Sequence, residues 1–147
     1  MTDRRRRLVL AVLLVLYLAT AAAIGFWATP VDGPFRRWVL ENFSSGQIDD
    51  VRGVIRYSTL EAAANVAFFV PLGALVAAML PARLWAIAIP IGAAFSCCLE
   101  FGQLLFLPAR FASWHDLVEN TIGTLIGVAI VLAIRAIVTL ARRRRRS

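Results

Sequence analysis

Apolar residues along this chain gather in four long runs, and polar residues occupy the gaps and a few positions inside them. A helix that crosses the hydrocarbon core of a bilayer needs roughly 20 apolar residues. Residues 8–28 supply the first such run, 59–80 the second, 83–107 the third and 113–140 the fourth. Pro81 stops the second run and Pro108 follows the third. Pro90 lies inside the third, where a ring without an N–H bends a helix or weakens its first turns. Arginines before the first run and Ala19-Thr20-Ala21 within it resemble a signal peptide. That run continues through Ile24-Gly25-Phe26-Trp27, past a signal-peptide core of about 7–15 residues, so it reads as a retained helix. The predicted fold is all-α, an integral membrane four-helix bundle.

Charge sets the direction. The net charge is +7, and Arg4 to Arg7 and Arg142 to Arg146 flank the first and last runs. Positive residues beside a span favour the cytoplasm, and an even number of crossings lets both termini lie there. Residues 29–58 then form an outer loop, in which Arg36, Arg37, Arg52 and Arg56 balance Asp32, Glu41, Asp49 and Asp50. Within it, Phe35, Trp38, Val39 and Phe43 share one helical face behind Pro34, which predicts a short helix lying in the outer interface. The chain divides into a first span plus outer loop over 1–58, a three-helix core over 59–140 and a basic tail over 141–147.

A hydrophobic content of 60% and a mean hydropathy of +0.74 agree with a membrane protein. The arginine runs abut apolar helices without interleaved aromatics, which argues against nucleic acid. The chain has abundant alanine and no lysine, a bias that fits a GC-rich bacterial genome and hence the bacterial cytoplasmic (inner) membrane. Adjacent Cys97 and Cys98 read as small buried hydrophobes. A single histidine, His115, and no Cys/His cluster argue against zinc, and no cofactor is implied.

The remaining polar residues fall at one depth. With the termini inside, the start of the second span, the end of the third and the start of the fourth all lie near the outer surface. They carry Glu61 and Asn65, Glu100 and Gln103, and His115, Asp116, Glu119 and Asn120; Arg110 lies in the loop between the last two spans. Glu61 and Asn65 are spaced i, i+4, Glu100 and Gln103 i, i+3, and Asp116, Asn120, Gly123 and Gly127 i, i+4, i+7, i+11, so each of these sets makes one stripe. Such groups face one another or a wet cavity, because facing lipid is costly. Bland readings compete. Ser58-x-x-Glu61 and Ser113-x-x-Asp116 resemble capping boxes, Glu119 reads as facing headgroups, and Gly123 and Gly127 form a GxxxG packing pair. Glu100 lies in mid-run, where capping cannot explain it, and Arg110 is its natural partner.

The segment Asn65-Val-Ala-Phe-Phe-Val-Pro71-Leu-Gly73 resembles the N-x-x-x-F-x-P-x-G segment of the VanZ-like family. Glu100-Phe-Gly-Gln103 resembles its E-x-x-Q, and Arg110 followed by Asp116-x-x-x-Asn120-x-x-Gly123-x-x-x-Gly127 resembles its ending. The resemblance implies a small multi-helix membrane protein related to proteins linked to teicoplanin resistance. It implies a shared binding role for Asn65, Glu100, Gln103, Arg110, Asp116 and Asn120, with Pro71, Gly73, Gly123 and Gly127 as packing positions.

Three functions fit. The first is an outward pocket that takes membrane lipids, lipid-linked envelope components or a lipoglycopeptide antibiotic through Arg110 and the amides. The second is an enzyme on a lipid or envelope sugar with Glu100 and Asp116 as acid and base. No serine, cysteine or metal signature supplies a nucleophile, which ranks it below the first. The third is an accessory subunit whose polar stripe only fixes helix register. GxxxG permits helix pairing without fixing an oligomeric state.

Overall fold

The structure is a computed structural model that describes residues 3–26, 47–106 and 114–145, with side chains at 4–26, 58–106 and 114–145. These residues form four long helices: α1 (Asp3–Gly25), α2 (Gln47–Met79), α3 (Ala88–Phe106) and α4 (Trp114–Arg144). α1, α2 and α4 each contain a stretch long and apolar enough to cross a membrane, and the fourth such stretch, Ala82–Phe106, joins a short 3-10 turn to α3. The predicted interfacial helix at Pro34 to Phe43 lies outside the described residues.

The contacts give an up-down-up-down order. Asn65 of α2 meets the start of α4 and the Ala77 carbonyl meets Arg135 further along it, so α2 and α4 run parallel. Ser96 meets Asn120 and Gly92 meets Thr124, so α3 runs against α4. Tyr17 reaches Phe68 and Arg6 reaches Ala78, so α1 runs against α2. The N-terminal end of α1 and the C-terminal end of α4 therefore share one end of the bundle. The starts of α2 and α4 and the close of α1 and α3 share the other.

The most extensive interface joins α2 and α4, and glycine makes it. A Cβ on Gly123 would strike the Val66 carbonyl oxygen, one on Gly127 the Val70 carbonyl, and one on Gly73 the Thr124 carbonyl. The helices thus touch backbone to backbone, as small residues permit in a bilayer where lipid is as apolar as leucine. Phe69, Leu72, Val76, Ala77, Ala88 and Val128 form the buried core. The Phe69 ring lies 6.1 Å from that of Phe95 on α3, within the range of favourable aromatic pairs. α1 is the loosest helix, with Leu8, Val15 and Leu16 each more than half exposed.

Two prolines are accommodated differently. Pro90 falls in the first turn of α3, where its missing N–H would have had no partner, and a 3-10 turn over Ala82–Ile87 precedes it. Pro71 sits inside α2 and removes the donor to the Ala67 carbonyl. In the same turn the Tyr17 hydroxyl donates to the Phe68 carbonyl at 2.8 Å, so α1 helps to satisfy the disturbed stretch of α2.

Two sequence readings are corrected. α2 starts at Gln47, well before residue 59, so Ser58 and Glu61 lie in the helix interior and form no capping box. Cys97 and Cys98 are exposed on the outside of α3 rather than buried. In a helix surrounded by hydrocarbon an apolar side chain has no reason to turn inward, so apolar character does not report burial.

Candidate functional site: the polar end of the bundle

The site is built where α2 and α4 begin and α1 and α3 end. Asn65 donates through Nδ2 to Glu119 Oε2 at 2.9 Å and to Asp116 Oδ1 at 3.4 Å. One carboxamide on α2 thus bridges two carboxylates on α4. Asp116 lies in the first turn of α4, where the helix dipole favours a negative charge.

Beneath this cluster the bundle is sealed. Asn120 is 7% exposed and Ser96 is fully buried. Asn120 Nδ2 donates to Ser96 Oγ at 2.8 Å, tying α4 to α3. The Asn120 carboxamide oxygen is enclosed and has no hydrogen-bond partner among the described residues. Thr124, one turn on, returns its hydroxyl to the Asn120 carbonyl at 3.0 Å and packs over Gly92, where a Cβ would strike the threonine hydroxyl. Glu100 lies one turn beyond Ser96 on the same stripe of α3 and is half-buried.

Gln103 points elsewhere. Its Nε2 donates to the Gly25 carbonyl at 2.9 Å, at the C-terminus of α1. Phe26 lies against Gly102 and Phe106 beside it, so the close of α3 holds the close of α1. Arg110 and Ser113 belong to the connection between α3 and α4 and lie outside the described residues. Among the described residues no group of three or more histidine, cysteine or carboxylate side chains is arranged to hold a metal.

The structure thus brings Asn65 and Asp116 together directly, sets Asn120 behind them, keeps Glu100 one turn from Ser96 towards the polar end and draws Gln103 to α1. Sequence reasoning left Glu119 facing headgroups, whereas it takes the shorter of the two Asn65 bonds. It also passed over Ser96.

This geometry coincides with a family pattern. The model of the family described as VanZ/LLP1 matches residues 8–135. The chain belongs to the VanZ-like family. The match takes in the first span as well, which carries no distinctive motif by eye. Comparison with curated proteins and with solved structures gives no match. VanZ-like membership fixes the membrane-helical fold and leaves the chemistry of the polar end to be argued from its residues.

Proposed function

We propose that this VanZ-like protein presents its polar end to the outside and binds there the headgroup of an envelope lipid, a lipid-linked precursor or a lipoglycopeptide. The observation that supports this reading is the convergence of Asn65, Asp116 and Glu119 from two helices, a costly arrangement at the mouth of a membrane bundle. Arg110, tethered between the polar ends of α3 and α4, supplies the cation for a phosphate or carboxylate. The carboxylates hold that guanidinium and the amides read the ligand's polar groups. The apolar flanks of the helices accommodate an acyl tail, which favours teicoplanin over the tail-less vancomycin.

The test is susceptibility of a sensitive Gram-positive host expressing wild type, Asp116→Asn or Arg110→Ala at matched membrane levels. Protection against teicoplanin alone, lost in both variants, is the expected result. Equal protection against both drugs, no protection by well-inserted wild type, or full protection by the variants contradicts the reading.

A further inference from the structure

The opposite end of the bundle has an unmet charge. Arg135 of α4 is half-buried, and its Nη2 lies 2.9 Å from the Ala77 carbonyl, 3.3 Å from that of Ala78 and 2.9 Å from that of Leu80. These are carbonyls at the close of α2 that no further helical turn can satisfy. The two hydrogens of Nη2 are thereby committed. Nη1 is enclosed and has no hydrogen-bond partner among the described residues. Arg6 of α1 reaches the same Ala78 carbonyl at 3.4 Å, so two guanidinium groups converge on one oxygen. Exposed Arg83 stands on the 3-10 turn that follows α2.

A helix C-terminus offers roughly half a negative charge, too little for two guanidinium groups. The carboxylates with described side chains, Glu61, Glu100, Asp116 and Glu119, belong to the other half of the bundle. Leu84, Trp85 and Ile87 are exposed beside Arg83, an apolar and aromatic surface at the level where the chain leaves the bilayer. We propose that Arg135 and Arg6 form a binding site for the phosphate of an anionic phospholipid. Guanidinium pairs take phosphate oxygens in a two-pronged geometry that a single carbonyl cannot offer. Arg6 is exposed and its bond is the longest at this end, so it is the side chain that moves to admit an oxygen to Arg135 Nη1. A zwitterionic headgroup brings its own cation among the arginines and is disfavoured. This site does not rest on the reading of the polar end.

The experiment is thermal unfolding of the full chain in neutral detergent with added phosphatidylglycerol, phosphatidylcholine or inorganic phosphate. Phosphatidylglycerol at a hundredfold excess over its Kd should raise the midpoint by about 5–11 °C, and phosphatidylcholine and phosphate by far less. Arg6→Gln and Arg135→Lys, which leave the core untouched, should lose most of that shift. Paired Arg142→Gln and Arg143→Gln changes in the tail should keep it. Equal shifts with phosphatidylcholine, an equal shift with phosphate alone, or a shift lost only in the tail variant overturns the proposal.

Discussion

Asn120 and Ser96 show what a single polar pair does inside a membrane bundle. Their 2.8 Å bond joins α4 to α3 where no water reaches. Ser96→Ala strips the Asn120 amide of that acceptor while its carboxamide oxygen is already unpaired. Unfolding in micelles should show a loss of about 0.6–1.7 kcal/mol, the range of interhelical hydrogen bonds in bilayers. An unchanged midpoint would mean that the pair finds other partners. Gly127→Ala belongs to the same scale and should cost more, about 1–3 kcal/mol, because its Cβ meets backbone that cannot turn aside. The glycine stripe and the Asp116–Asn120 spacing were legible because both are periodic in one helix. Ser96 was not, since a lone serine in an apolar run acquires meaning only from the helix opposite. Glu119 is i+3 from Asp116 and thus its neighbour on the surface; a stripe drawn through i+4 and i+7 alone passes it by.

At the level of elements, the hydropathy pattern located four helices and misjudged where α2 begins. A helix of 33 residues is roughly 50 Å long, against a hydrocarbon core of about 30 Å. Apolar runs report the thickness of the bilayer, and α2 continues beyond it through Asp49, Asp50 and Arg52. Pro90 was read correctly as a perturbation of the first turns of α3, because the rule there is local. The link between Tyr17 and the turn disturbed by Pro71 needed the packing of α1 on α2. Tyr17→Phe should destabilise the wild type by about 1 kcal/mol and by less in a Pro71→Ala background, where the α2 ladder is complete. Equal costs in the two backgrounds would show that the hydroxyl does not serve the proline turn.

For the molecule as a whole, alternating helix directions put Glu61, Glu100, Asp116 and Glu119 in one half and the arginines of both termini at the other end. Three short motifs in order pointed to the VanZ-like family, and the family match extends that assignment to the first span. The chemistry was less legible, because side chains from separate helices meet only through packing that no local pattern encodes. In the proposed orientation the half bearing Asn65, Asp116 and Glu119 faces out of the cell. The most direct measurement is labelling of single cysteines by a membrane-impermeant maleimide in intact cells. Cys97 and Cys98 are first changed to serine, and the new cysteine replaces exposed His115 at the start of α4 or exposed Arg83 at the opposite end. Labelling of His115→Cys in intact cells, with Arg83→Cys labelled only after lysis, is the expected result. The reverse pattern would place the polar end in the cytoplasm and contradict an envelope-facing pocket.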